Sequence, residues 1–428
     1  MSMRKAIVAL ATGGAIALLG SSSTLAAPAP TATTRVTSQL TLGSLLPKTG
    51  YLKPFGAPAR AGYRAAIAEV NDAGGVFGQP ILSVEGDSGD SSSHLAWNEM
   101  KRLVDANAQV IIGPVTSTLS ANLIKQAIDR NRLLFSPGAE QDNLTRADIS
   151  AGHFARTVAP TRVQGSVLAS LASGDGKARA AVIYRKDGYG TPVAQQFSSS
   201  FIALGGRVAV SLGYDSASWR PRDPSIKAIV AIANAIKAAR PDAIVVCGYD
   251  ETVPIIQALA SRGAGPTRVS FYLCDGSLFA PLAQGIPSRD LAGIQGTSVR
   301  PDSVTKGFKA TLLKQDPTLK SFAYSAQAFD AVVITALAAS DAQSNLASDI
   351  MASIPSVTRP GNTTCTSYSS CRQLQDAGTP IQYVGPSGSS SFATNGDPGR
   401  AKMAIYTFDS RGQVAVTRIV SALVPAQS

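Results

Sequence analysis

Val110-Ile111-Ile112-Gly113-Pro114-Val115-Thr116-Ser117-Thr118, continued by Leu119 to Arg130 and then by Leu133-Leu134-Phe135-Ser136-Pro137-Gly138-Ala139-Glu140, carries the fold in miniature. A short β-branched apolar run predicts a buried strand, and the glycine-proline turn ends it. Three hydroxyl residues then open an amphipathic helix, and a second apolar run ends in another proline-glycine turn. Strand, helix and strand in this order form a βαβ unit, so the two strands lie parallel and their polar turns sit side by side at one end of a sheet.

The same alternation extends in both directions. Upstream it predicts strands at 40–45 and 81–85 and helices at 59–73 and 92–105, the first helix closed by Gly74-Gly75 as a glycine C-cap. After Pro160 the period restarts, with strands expected at 180–184, 208–212, 243–247 and 270–273 and helices at 192–204, 226–239 and 252–262. The two halves read as two copies of one α/β architecture, and 428 residues exceed what a single core usually encloses. Two Rossmann-like lobes with parallel sheets are expected: 39–158 with about 300–345, and 159–299 with about 401–421. The last part supplies a short strand at 293–297, helices at 305–313 and 324–340, and a hairpin at 404–408 and 414–419 turning at Gly412. Residues 346–400 read as a polar insert with a cysteine pair, beyond the compact core of the lobes. Repeated crossings make a multi-strand hinge, with a ligand cleft where strand C-termini and helix N-termini face each other.

Polar groups follow the strands. Thr116 and Ser117 stand at a helix N-terminus, where free N–H groups and the helix dipole can receive a carboxylate; Ser117 serves equally as a plain N-cap. Gly138, Ala139 and Glu140 occupy the neighbouring turn. In the second half Asp187-Gly188-Tyr189-Gly190, Cys247-Gly248-Tyr249-Asp250 and Cys274-Asp275-Gly276 each follow a strand. Tyrosines there offer an apolar face with a hydrogen-bonding tip, and Asp275 can neutralise an ammonium.

Gly74-Gly75-Val76-Phe77-Gly78, Ile112-Gly113-Pro114, Ser136-Pro137-Gly138-Ala139, Asp187-Gly188-Tyr189-Gly190 and Gly248-Tyr249 occur in the order and spacing of one family. From about Gln39 to Ser340 the chain resembles the branched-chain amino-acid-binding proteins of ABC transporters, members of the type I periplasmic-binding fold. The resemblance implies a non-enzymatic solute-binding protein that delivers an amino acid or related small polar solute to a membrane permease. It places the α-carboxylate at the loop of Val115, Thr116 and Ser117, the α-ammonium at Asp275, and Tyr189 and Tyr249 on the second lobe. Phe55 and Phe322 fall where the family sets aromatic residues around the side-chain pocket. Glu140 departs from the pattern, since a threonine or serine is usual there and an acid would repel a carboxylate. Either it faces the ammonium or the ligand is not a simple aliphatic amino acid.

Other classes are disfavoured. The net charge of +11 comes from singly scattered Lys and Arg, which argues against a nucleic-acid surface. Gly86-Asp87-Ser88-Gly89 copies the nucleophile motif of chymotrypsin-like proteases, but it follows a strand of an α/β pattern in a chain whose histidines are His94 and His153. Neither histidine lies near a cysteine pair, so no metal and no cofactor is expected. The N-terminus, Arg4-Lys5 followed by an apolar run at 6–19 and small residues to Ala26 and Ala27, reads as a signal peptide (1–27), and 28–38 as a flexible lead-in. Ser21 stands where a lipoprotein signal needs cysteine, so the expectation is an exported, unlipidated monomer. In an oxidising space Cys365 and Cys371 are expected to pair across a small surface loop, and Cys247 and Cys274 to meet if their strands are neighbours. A ligand-sensing receptor of the same fold is the alternative function.

Overall fold

The computed structural model describes residues 39–90, 94–215, 226–279, 281–298 and 304–424. The signal-peptide and lead-in readings lie outside them. A first sheet holds β1 (Thr41–Leu46), β2 (Leu82–Asp87), β3 (Val110–Ile112), β4 (Leu133–Ser136) and β5 (Phe154–Arg156), all parallel, in the order β2-β1-β3-β4-β5. Its central strands are buried along their whole length, which is why they read as continuous apolar runs rather than alternating ones.

The second sheet is built from β6 (Arg179–Arg185), β7 (Arg207–Tyr214), β8 (Ala243–Cys247), β9 (Ser270–Leu273) and β10 (Gln295–Ser298). After it β11 (Thr363–Cys365) and β12 (Ile381–Tyr383) form a small parallel pair. The hairpin of β13 (Arg400–Phe408) and β14 (Val414–Leu423) then completes the second sheet on its β10 edge, in the order β14-β13-β10-β9-β8-β6-β7. The chain thus passes between the two lobes after β5, after β10 and before β13. No helix among the described residues is long and apolar enough to cross a membrane.

The helix Ser325–Ala342 begins one residue after Tyr324, whose φ of 60° breaks the helical path. It is buried on every face through Ser340, being wrapped by the first sheet and by the helices Lys53–Asp72 and Ala347–Val357. Gly62 makes this possible, because a Cβ there would lie 2.0 Å from the Ser325 carbonyl oxygen.

Residues 346–400, read as a polar insert, contribute side chains to the first-lobe core. Ile350, Met351, Ile354, Val357, Tyr368, Ile381, Tyr383 and Phe392 belong to the core of the first lobe, with Phe392 edge-on to Phe135 at 6.0 Å. Isolated apolar residues spaced through a polar background hid this burial from a periodicity argument. Cys365 and Cys371 are joined, with Cα atoms 5.3 Å apart, and the bridge is buried rather than on a surface loop. Tyr368 draws it inward by donating its hydroxyl to the Gly75 carbonyl at 2.8 Å.

Candidate functional site

Parallel pairing of β3 and β4 brings their following turns together, and side-chain hydrogen bonds lock them. Ser136 Oγ donates to the Pro114 carbonyl at 2.6 Å and accepts from the Ala139 N–H at 2.8 Å. Gly138 must lack a Cβ, since one would stand 2.4 Å from the Val115 carbonyl oxygen. Ser117 Oγ accepts from Glu140 N–H at 3.1 Å and Gln141 N–H at 3.0 Å. Ser117 is thus the first residue of the helix rather than its N-cap, which is Thr116, and its side chain holds the neighbouring turn. Thr116 Oγ1 is buried beside it at the N-terminus of the helix Ser117–Asp129 and has no hydrogen-bond partner among the described residues.

Across the cleft, Asp275 follows β9 and is 2% exposed. Tyr189 donates its hydroxyl to Asp275 Oδ1 and accepts from the Gly276 N–H at 3.0 Å, while Tyr324 donates to Oδ2 at 3.5 Å. Glu140, also 2% exposed, lines the same cavity as Asp275, and Gln164 bridges the two, its Nε2 donating to Glu140 Oε2 and its Oε1 accepting from the Asp275 N–H. Burial first, and then the Asp275 charge, push the Glu140 carboxyl well above the ordinary range. Two buried acids, one from each lobe, therefore lie together at the cavity, and the site favours the neutral form of the Glu140 carboxyl.

The second lobe fixes its tyrosines from behind. Tyr189 and Tyr249 stack at 5.3 Å, and the Arg185 guanidinium lies 4.5 Å from the Tyr249 ring centroid. Arg185 is held in turn by Asp187 and by Glu251 Oε1 at 2.9 Å, and Glu251 also accepts from the Tyr214 hydroxyl at 2.7 Å. Asp187 spends its other oxygen on the N–H groups of Tyr189 and Gly190, at 3.0 and 2.8 Å.

Of the residues singled out from sequence, Phe55, Val115, Thr116, Ser117, Gly138, Glu140, Tyr189, Tyr249 and Asp275 line one interlobe cavity, with Tyr324 added. The cavity holds only about 20 Å³, the room of a single water, so the lobes are shut. Two of the singled-out residues lie elsewhere. Ala139 faces the first-lobe core behind its turn. Phe322 packs with Ala61 and Leu312 under the Lys309 side chain, 4.9 Å from its ring, because the turn before the helix Ser325–Ala342 sends Tyr324 inward instead. Tyr324 meets Phe55 edge-on at 5.8 Å. Gln164 was missed as well, since nothing local marks a helical glutamine that reaches both Glu140 and the Asp275 N–H, the latter at 3.3 Å.

The remaining motifs are structural. Gly86-Asp87-Ser88-Gly89 is the turn after β2, where Asp87 Oδ1 accepts from the N–H groups of Lys48 at 2.7 Å and Gly89 at 2.8 Å, and Ser88 is buried. Cys247 and Cys274 directly follow the paired residues Val246 and Leu273 of β8 and β9; they are buried, hydrogen-bonded to each other and unbridged. Among the described residues no group of three or more His, Cys, Asp or Glu is placed to hold a metal ion.

Comparison with known proteins fits this architecture. The chain is 25% identical over 361 residues, 82% of each protein, to the chemotactic signal transduction system substrate-binding protein BasB of Halobacterium salinarum. Its fold matches the branched-chain amino acid transporter substrate-binding protein LivJ of Streptococcus pneumoniae, solved with isoleucine, at a TM-score of 0.69 and 19% identity, covering 90% of this chain and all of that one. It also matches a solute-binding protein of an ABC transporter from R. palustris, solved with 4-hydroxybenzoate, at a TM-score of 0.71 and 17% identity over 91% and 98% of the two chains. A family described as periplasmic binding protein matches residues 39–413. Two α/β lobes with a polar cleft at their strand ends, and a family match over nearly the whole described chain, make this protein a member of the periplasmic binding protein family.

Proposed function

We propose that this chain is an exported, non-enzymatic binding protein that encloses an amino acid, or a related small solute bearing an amine, and delivers it to an ABC permease. The observation that carries the reading is the polarity of the cavity. One end offers a helix N-terminus, Ser117 and the unpartnered Thr116 hydroxyl, suited to a carboxylate; the other offers Asp275 and Glu140 inside a frame of Tyr189, Tyr249, Tyr324 and Phe55, suited to an ammonium. Among the described residues no basic side chain lines the cavity. An aromatic carboxylate, the ligand type of the R. palustris neighbour, would find no cation here and would meet two acids. The likeness to BasB along 82% of both chains supports a second reading, in which the closed form reports to a sensory partner rather than a permease.

A thermal-shift screen of amino acids, amides, polyamines and small carboxylates tests the proposal. A solute at 100 times its dissociation constant adds about 2.7 kcal/mol to the folded state, which such a screen resolves. Asp275→Ala should cost more affinity than Ser117→Ala, because it removes one of the two acids that face the ammonium and strips the Tyr189 and Tyr324 hydroxyls of their acceptor, whereas the helix N–H groups survive the serine change. Stabilisation by benzoates or sugars alone, with none by amine-bearing solutes, would refute the reading.

A further inference from the structure

Glu140 and Asp275 belong to different lobes. Glu140 ends the turn after β4 in the first lobe, and Asp275 follows β9 in the second, so the two acids meet across the cleft, both lining its cavity and both held by Gln164. Tyr324 of the first lobe reaches the same Asp275 carboxylate, and these contacts join the lobes at the floor of the cavity. Without a proton between them, two buried carboxylates at this distance would drive the lobes apart.

We propose that Glu140 and Asp275 form an interlobe latch closed by one shared proton, and that the cationic amine of the solute takes that proton's place when it binds. The inference rests on the amine-binding reading above and adds its coupling: solute uptake releases a proton, and the empty protein opens as pH rises. Each carboxyl keeps its other partners through the exchange, Gln164 on Glu140 and the Tyr189 and Tyr324 hydroxyls on Asp275. An ammonium with three donors can bridge both acids and still reach a tyrosine. The proton leaves to solvent, so the ammonium enters already charged and no other reactant is needed.

Other ionisable groups face the pair from both lobes. From the first lobe it faces Arg156, whose charge favours an ionised Glu140, and Tyr324. From the second it faces Tyr189, Tyr249 and Cys274, backed by Cys247, Tyr406 and the Arg185, Asp187 and Glu251 cluster. Burial holds the four phenols and the Cys274 thiol well above their ordinary values and therefore neutral. His153 is engaged with the Arg132 carbonyl at 2.8 Å, and His94 precedes the helix Leu95–Asp105 of the first lobe.

Two measurements on the whole mature chain test the latch. Small-angle scattering without added solute, from pH 5 to pH 9, should show a compact protein at acid pH that expands as pH rises. Glu140→Gln, which replaces the shared proton with a permanent amide donor, should stay compact throughout, and Asp275→Asn should do the same. A parent whose dimensions do not change with pH, or variants that expand as the parent does, would overturn the proposal. In the second, L-isoleucine is titrated by calorimetry in phosphate and in Tris, whose ionisation heats differ. Binding should release up to one proton, its affinity rising by up to tenfold per pH unit below the titration of the pair, and Glu140→Gln should abolish both effects. Tight binding with no proton release would overturn the exchange. If L-isoleucine does not bind at all, the reading of the ligand fails at that solute, and scattering alone judges the latch.

Discussion

Asp397 is the residue through which the late segment 346–400 reaches the ligand loop. Its carboxylate accepts from Arg156 Nε at 2.7 Å and from Arg162 Nη2 at 2.8 Å. Arg156 has no exposed surface; its remaining N–H groups donate to the carbonyls of Ala139, Gln141 and Asp142 at 3.2, 2.6 and 3.4 Å and to the Thr145 hydroxyl at 3.4 Å. Asp397→Ala would leave that guanidinium buried among neutral acceptors. Breaking a buried pair from one side costs about 3–5 kcal/mol, and because four acceptors remain the lower end, about 3 kcal/mol, is expected. Asp397→Asn, which keeps one acceptor oxygen but not the charge, should lose about half as much. Reversible urea denaturation reads this as a lowered midpoint at constant slope. Calorimetry should also find weaker solute binding, since the carbonyls that Arg156 grips flank Glu140. A loss below about 1 kcal/mol for Asp397→Ala would refute the argument, by showing that water or a moved side chain replaces the charge.

Three further outcomes are expected. Gly62→Ala forces a methyl against the Ser325 carbonyl and should destabilise by about 1–3 kcal/mol through separation of the helices Lys53–Asp72 and Ser325–Ala342; an unchanged melting temperature would contradict that contact. The bridge between Cys365 and Cys371 spans a sequence separation of six, so replacing both cysteines by alanine should cost about 2 kcal/mol from loop entropy, read in urea under non-reducing conditions. Asp330 is buried beneath the Tyr383 hydroxyl and the Ser387 N–H, both at 2.9 Å, and burial pushes its carboxyl up to about 7. A carboxyl raised in the folded state stabilises most below its unfolded pKa and loses that contribution as pH rises through 7. The melting temperature of Asp330→Asn relative to the parent should therefore climb from about pH 4 to pH 7 and level off above it, and a difference independent of pH would refute the assignment.

What was legible in the sequence was whatever is set by neighbours along the chain. Buried parallel strands announce themselves as unbroken apolar runs, and the turns after them carry glycine and a polar residue because backbone must turn sharply there. That located Ser117, Glu140, Tyr189, Tyr249 and Asp275 in one cleft without any knowledge of distance. What stayed hidden is set across space. The partnership of Glu140 with Asp275 exists only because two lobes close, and the Glu140 anomaly could be noticed but not resolved until its partner was known. Tyr324 displaced Phe322 through a single left-handed residue, which no side-chain pattern encodes. The segment 346–400 looked detached because its buried residues, Tyr368, Ile381 and Tyr383 among them, follow neither a period of 2 nor of 3.6.

The return of the chain to both lobes has a consequence for how the protein reaches its native state. β10 finds its antiparallel neighbour only when Gln295 meets Thr407, and the core around β4 is finished by Phe392. Neither lobe can close its apolar interior from the residues that begin it. Such distant pairings make collapse late and slow, so a nascent chain ending near Ser298 would display the open flank of β10 and an uncovered first sheet, surfaces that invite self-association.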